Sequence, residues 1–308
     1  MQGPIIIKVV GVGGSGGNAI SRMKQFKIKG VQLVAINSDF QDLQKTSADV
    51  KVQIGQETTQ GLGTGMNPEL GKQSALENKE EIQRVLEGSD LVFITYGAGG
   101  GTGTGAGPVV AEIARELGAL TIAVITKPFD FEGQARKKLA EDGVKKLKEK
   151  VDSLITISND RLLSILDPKI SLVEAFWFCD DILRQAVQGI SDLIILPGII
   201  NVNFADIKGI IKNSGTALLG VGRATGDKRA EVAARLAINS PLLDSSCKGA
   251  KGVLFNISGE DISLSEIDAA AKEITKEVNP EARVIFGAIQ DEKLKKGEIK
   301  VTVIATGF

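Results

Sequence analysis

From Tyr96 to Gly107 the chain reads YGAGGGTGTGAG, in which seven of twelve residues are glycine and two are threonine. Glycine has no Cβ, so such a run leaves main-chain N–H groups bare and approachable. A Gly/Thr tract can also be a flexible linker, and the flanks decide between the two. Upstream, SDLVFIT is a short β-branched and aromatic run that reads as a buried strand. Downstream, PVVAEIAREL places Val109, Ile113 and Leu117 at helical spacing. The glycines therefore join a strand to a helix, where converging N–H groups and the helix dipole favour negative charge. The chemistry predicted is anion binding, with phosphate the expected anion.

Two further segments extend this cradle. GVGGSG at 11–16 follows an apolar run and fits G-x-G-x-x-G, with Asn37 and Asp39 roughly twenty residues on. GLGTGMNP at 61–68 adds Gly63 and Gly65. One fingerprint alone reads as the dinucleotide turn of an oxidoreductase. Two glycine turns beside a third segment read as a cradle for several phosphates. LGKQS at 70–74 carries Lys72 without the glycine spacing or adjacent hydroxyl of a Walker A loop, so an NTPase here is not of the P-loop kind. The chain has no histidine, which leaves acid–base and metal chemistry mainly to carboxylates and phosphates. Cys179 and Cys247 are neither paired in sequence nor spaced as metal ligands, and suit a reducing compartment.

The elements that must hold these turns follow from periodicity. IIIKVVGVG, VQLVAINSD, SDLVFIT, LTIAVIT and DSLITIS read as strands, separated by helical stretches such as PELGKQSALENKEEIQRVLEG and GQARKKLAEDGVKKLKEK. This rhythm predicts an α/β domain with a mostly parallel sheet and helices on both faces. From 172 to 196, Phe176, Cys179, Leu183, Ala186, Ile190 and Leu193 keep a helical period that stops at Pro197 and Gly198. GTALLGVG, GVLFNIS, ARVIFGAIQ and IKVTVIAT then form a second strand set, a smaller α+β domain with helices near 231–238 and 264–278. The 308 residues, 43% hydrophobic and 24% charged, carry a formal net charge of −1, so no basic surplus points to nucleic acid or an anionic membrane. RKKLAEDGVKKLKEK reads as a solvated helix face. Neither an apolar span of membrane length nor a cleavable signal peptide is evident, which predicts a cytoplasmic protein.

GGGTGTG is the tubulin-type signature. In order, the glycine turn with Asn18, GLGTGMNPE, KPFDFEGQAR, NDRLL, QGISDLI and INVNFAD resemble segments of the FtsZ family of division GTPases, over essentially the whole chain. The resemblance implies a Rossmann-type GTP-binding domain at 1–171, a central helix at 172–197, a synergy loop and following helix at 198–214, and a C-terminal α+β domain at 215–308. It implies head-to-tail protofilaments of a cytokinetic ring, with GTP hydrolysed where subunits meet. GTP or GDP would be the bound nucleotide, with Mg²⁺ held mainly by phosphates and water. Gly13, Gly14, Ser15 and Asn18 are expected at the phosphates, with Gly99, Gly100, Gly101, Thr102, Gly103, Thr104 and Gly105, the two threonines adding hydroxyl bonds. Asn37, Gly63, Gly65 and Pro128 complete the nucleotide set.

Glu132 and Arg136 fall at the ribose and base, although their spacing also suits an i, i+4 helix ion pair. Asn159 and Asp180 are expected to read guanine, since a carboxylate can accept from both N1–H and the 2-amino group. Phe176 would stack on the base, and its other reading is core, as for Cys179. Asn201, Asn203 and Asp206 are expected to act on the neighbouring subunit's GTP, Asn203 standing where the family pattern has an acid. Tyr96, Ala98, Trp177 and Phe178 also depart from that pattern. Expected partners are other copies of the chain, and division and membrane-tethering proteins acting at the division site through a C-terminal tail beyond Phe308. Neither nucleic acid nor membrane insertion is expected. A guanine-nucleotide filament protein with little hydrolysis, and a nicotinamide-dependent oxidoreductase built on residues 11–16, remain as alternatives.

Overall fold

Near-continuous apolar runs mark strands buried on both faces, and such runs alternate with helices through the first part of the chain. The computed structural model describes residues 4–164, 166–167, 169–196, 198–200, 202–240, 247–291 and 294–308. Two compact units are present, Met1–Gln188 and Gly189–Phe308. The first runs β1 (Ile7–Val12), α1 (Gly13–Gln25), β2 (Val31–Asn37), α2 (Phe40–Lys45), β3 (Val50–Gln53), α3 (Gln56–Thr59), α4 (Pro68–Glu77), α5 (Lys79–Leu86) and β4 (Leu91–Gly97). It continues with α6 (Gly101–Glu116), β5 (Leu120–Lys127), α7 (Gln134–Lys148), β6 (Ser153–Ser158), α8 (Asn159–Leu163) and the long α9 (Leu172–Ile195), whose last turns belong to the second unit.

The strands of the first unit are parallel, in the order β3-β2-β1-β4-β5-β6. Successive connections therefore run outward to opposite sides of the adjacent pair β1 and β4. That pair is the topological switch, and a ligand crevice opens beyond its carboxyl ends. Both glycine turns leave from those ends, β1 into α1 and β4 into α6. Val10, Val12, Ile94, Tyr96 and Val110 are among the buried residues of the core beneath them.

Two details depart from the sequence reading. The stretch 68–87, read as one helical segment, is two helices parted at Asn78, whose φ of −109° and ψ of 27° leave the helical region. The Asn78 side chain accepts instead from the Gly55 N–H at 2.8 Å. The short strand β3 lacks the long β-branched run that made its neighbours legible.

Lys8 puts a charge inside the buried strand β1. Its Nζ donates to the carbonyls of Val85 at 2.6 Å and Glu87 at 3.0 Å, the last acceptors of α5, and burial holds its pKa below the ordinary lysine value. Lys8→Met keeps the stem and leaves those carbonyls unmet. It should lower stability by about 1–3 kcal/mol, read as a shift in urea midpoint at unchanged slope.

The second unit comprises α10 (Phe204–Ile211), β7 (Gly215–Thr225), α11 (Arg229–Ile238), β8 (Gly252–Gly259), α12 (Leu264–Thr275), β9 (Arg283–Gln290) and β10 (Glu298–Thr306). Its strand order is β7-β10-β8-β9, with β10 antiparallel to both neighbours and β8 parallel to β9. Helices α11 and α12 pack on this sheet around Ala233, Ala237, Phe255, Ile267 and Ile274. Arg229 ties them, donating Nε to Glu266 at 2.6 Å and pairing with Asp261 at 2.8 Å. On α9, Cys179, Leu183, Ala186, Ile190 and Leu193 are buried as the period predicts. Phe176 is not, at 40% exposure. No described helix is long and apolar enough to cross a membrane.

Candidate functional site

The first turns of α1 and α6 meet at the switch. Gly13 takes the left-handed region at φ +71°, and a Cβ there would lie 3.0 Å from the Gly103 nitrogen. Ser15 Oγ accepts from the Gly97 N–H at 2.7 Å, tying the start of α1 to the end of β4. Gly99, at φ +92°, donates its N–H to Thr104 Oγ1 at 2.9 Å. The opening N–H groups of any helix lack an i−4 acceptor, so two sets of main-chain donors and two positive dipole ends converge here. Gly14, Ser15 and Asn18 are exposed on α1 and Gly100 is half-buried before α6.

The structure changes the meaning of several glycines. Residues 101–105 are buried by protein. A Cβ on Gly105 would collide with the Pro68 carbonyl, and one on Gly101 with the Thr64 hydroxyl, so these two let α4 and its preceding loop approach α6. A Cβ on Gly103 would press on the Tyr96 ring at 3.0 Å. That ring is fully buried, which accounts for the bulk of Tyr96 in this signature. The threonine hydroxyls are also engaged within the protein. Thr102 Oγ1 lies 2.7 Å from Ser38 Oγ and 3.2 Å from Thr64 Oγ1, and Thr104 staples its own loop. Both hydroxyls thus help to hold the loop, and Thr104, which accepts from Gly99, keeps its own O–H to donate. Asn37 likewise spends its amide locally, donating to Asp42 at 2.8 Å and accepting from the Asp39 N–H. Gly63 and Gly65 are left-handed, at φ +79° and +54°.

A cleft of about 670 Å³ runs from this cradle between α1 and α9, lined by Gly14, Ser15, Asn18 and Arg22 on one side and Phe176, Trp177 and Asp180 on the other. Asp180 faces Arg22 at 3.5 Å. Burial pushes its carboxyl up to about 6, against the pull of Arg22 and with a smaller push from Asp181. The Arg22 guanidinium also lies 4.0 Å from the centroid of the Trp177 ring, which is 53% exposed. Phe176 meets Phe129 edge to face, with centroids 5.3 Å apart, bringing the segment after Pro128 to the cleft. Pro128 itself is buried. Glu132 and Arg136 form an ion pair with each other at 2.8 Å, and the Arg136 carbonyl is where a Cβ on Gly99 would fall. Asn159 is buried with its Oδ1 unpartnered, at the start of α8, and the adjacent Asp160 accepts from the Asp130 N–H at 2.9 Å. Arg22 was missed in the sequence. The available signal was its place on α1, four residues beyond Asn18 and so on the same helix face.

In the second unit, Asn203 is the N-cap of α10, its Oδ1 accepting from the Asp206 N–H at 2.8 Å. Asparagine and aspartate serve that duty about equally, so the residue that departs from the family's acidity keeps its structural role. Asp206 lies in the first turn of α10 and faces Arg283 at 3.5 Å. Asn201 lies outside the described residues.

A guanine nucleotide fits what is present: main-chain donors at one end, and a carboxylate, an exposed ring and an orphaned buried amide oxygen at the other. The comparisons agree. Residues 6–167 match the GTPase domain of the Tubulin/FtsZ family, and residues 215–308 match the C-terminal domain of the FtsZ family. An empty FtsZ dimer from M. jannaschii is similar at TM-score 0.95 and 45% identity, over 100% of this chain and 89% of that one. CetZ2 from Haloferax volcanii, solved as a GTPγS-bound protofilament, matches at TM-score 0.84 and 23% identity over 98% of this chain and 92% of its own. CetZ1 from the same organism, a GDP-bound monomer, matches at 0.86 and 20% over 99% and 94%. The last two share the fold. By sequence and structure together, the chain belongs to the tubulin/FtsZ family and is a GTPase of the FtsZ kind.

Proposed function

We propose that this GTPase assembles head to tail into protofilaments of the cytokinetic ring, hydrolysing GTP where the first unit of one copy meets the second unit of the next. The observation that carries the nucleotide half is the convergence of the α1 and α6 N-termini on a cleft that ends at Asp180. Its likeness to an FtsZ solved as a dimer supports the assembly half. In this reading Gly13, Gly14, Ser15, Asn18, Gly99 and Gly100 present N–H groups to the phosphates. Mg²⁺ sits among phosphate oxygens and water, as its reluctance to dehydrate favours. The Glu132–Arg136 pair opens toward the ribose, Phe176 stacks on the base, and Asn159 and Asp180 read its edge. Asn203 and Asp206, with Asn201, complete the neighbour's site. Residues 1–171 serve as the GTP-binding domain, 172–197 as the central helix, 198–214 as the synergy loop and its helix, and 215–308 as the C-terminal domain. The place of action is the cytoplasmic division site, where tethering proteins hold the filaments to the membrane.

A heterologous contact that does not close makes an open filament. Purified protein should therefore pellet with GTP and Mg²⁺ and not with GDP, and a chain that stays monomeric at high concentration refutes the assembly. Phosphate release in the same samples separates a turning-over filament from a static one. Base choice has its own test. Asp180→Ala removes the acceptor for guanine's two donors, at a cost of about 1–3 kcal/mol in GTP binding. ATP binding should be spared, and equal losses for the two nucleotides would place the base elsewhere.

A further inference from the structure

Arg22 stands between two groups of the cleft that do different things. Its side chain is 10% exposed, its Nη2 is 3.5 Å from Asp180 Oδ2, and its Cζ lies over the Trp177 ring, 4.0 Å from the centroid. Its Nε is buried with no partner. Arginines that hold this fold together look different, as Arg229 shows with bonds of 2.6 and 2.8 Å to two carboxylates. Charge-assisted bonds settle near 2.7–2.9 Å when nothing opposes them. The Arg22 contact is longer and single, so it is a pairing that can be exchanged.

What it pairs with is the carboxylate assigned above to guanine, and the inference rests on that assignment. In an empty cleft Asp180 would be a largely buried carboxylate without compensation, which is costly. A cation beside it offsets part of the cost. The N1–H and 2-amino group of guanine need the same oxygens, so base and guanidinium cannot both have them. We propose that Arg22 is a placeholder for guanine: it occupies the reading carboxylate while the cleft is empty, and the entering base displaces it along the face of Trp177. Trp177 is suited to receive it. Its ring is exposed on the cleft and already holds the guanidinium over its face, a cation–π contact that arginine's planar head makes well. This gives Trp177 a task beyond packing.

A site whose competent form is populated only in part binds more weakly by that fraction. With the Arg22–Asp180 pair formed in nine of ten empty molecules, apparent affinity falls about tenfold. The test uses the full chain stripped of nucleotide and titrated calorimetrically with GDP at pH 8, where Asp180 is ionised. Arg22→Gln should bind GDP about tenfold tighter. Trp177 is the single tryptophan of the chain, so its emission reports on the guanidinium. GDP should change that emission in the parent protein and leave it nearly unchanged in Arg22→Gln. Weaker or equal GDP binding by Arg22→Gln overturns the proposal, because a residue that supports the nucleotide would act in that direction. Should that variant fail to fold, Arg22→Met decides, since it keeps the apolar stem and removes the charge: tighter GDP binding supports the placeholder and weaker or equal binding overturns it. Asp180→Ala keeps the two ideas apart. If it abolishes the preference for guanine over adenine while the Arg22 variants fail to tighten binding, the guanine reading stands and the placeholder falls. If it leaves the preference intact, the guanine reading itself is wrong.

Discussion

Asp206→Asn should lower GTP turnover by about 10²–10⁴-fold, the range a positioned acid–base group contributes, while the monomer's affinity for GDP stays within about twofold of the parent's, as for distant, independent sites. With no histidine in the chain, carboxylates are the natural groups to handle the attacking water. Asp206 is half-exposed in the first turn of α10, and its ion pair with Arg283 is long at 3.5 Å. Asparagine keeps the shape and loses the charge and the proton acceptor. Asn203→Asp is the complement. Both residue types cap α10, so the fold is preserved and any gain in turnover is chemistry. We expect that gain, with filaments that disassemble sooner, measured by phosphate release across protein concentration. If Asn203→Asp leaves the rate untouched while Asp206→Asn stops it, Asp206 acts alone. Normal hydrolysis by Asp206→Asn would refute the shared-site mechanism.

The second large effect separates glycines that serve the protein from those that serve the ligand. Gly105→Ala drives a methyl into the Pro68 carbonyl and to 2.7 Å from the Lys72 nitrogen, backbone atoms that cannot rotate away. It should cost at least about 3 kcal/mol, at the upper end for overpacking, and lower the melting temperature by several degrees. Gly100→Ala is the opposite case. Its φ is −83°, and the only atom near a new Cβ is the Gly97 carbonyl oxygen at 3.9 Å. The fold should tolerate it within about 0.5 kcal/mol. GTP affinity should nonetheless fall tenfold or more, about 1.4 kcal/mol, because on the proposed reading the space it fills is the phosphate's. Unchanged GTP binding by Gly100→Ala would mean that the α6 turn does not face phosphate.

Much of this was legible beforehand, for identifiable reasons. Long β-branched runs exposed β1, β2, β4, β5 and β6 because strands buried on both faces need continuous apolar sequence. The two glycine turns were visible as sequence, and their junction with α1 and α6 followed from the flanks. Composition could not say what each glycine makes room for. A helix crossing, an aromatic ring and a phosphate all demand a missing Cβ, and only coordinates show that Gly105 answers to Pro68 and Gly103 to Tyr96. Asn203 hid in a different way. Asn-x-x-Asp before the apolar FADIKGII is an ordinary helix-start signal, and a cap and a missing catalytic charge look alike in sequence. Arg22 gave no composition signal at all, since a lone arginine on an amphipathic helix is most often a solvated residue.

The raised value at Asp180 gives the molecule a proton economy of its own. A chain without histidine lacks the side chain that usually changes charge between pH 5 and 8, and here a carboxylate held near 6 moves into that window. The folded protein binds a proton at Asp180 where the unfolded chain has released it, so this residue's contribution to stability is full below about 4 and declines as pH rises through about 6. On the proposed reading of guanine by Asp180, the base requires the ionised form, so nucleotide capture below neutrality expels a proton and acidification through pH 6 favours the empty cleft. That reading links occupancy by nucleotide to the acidity of the surrounding medium through one side chain.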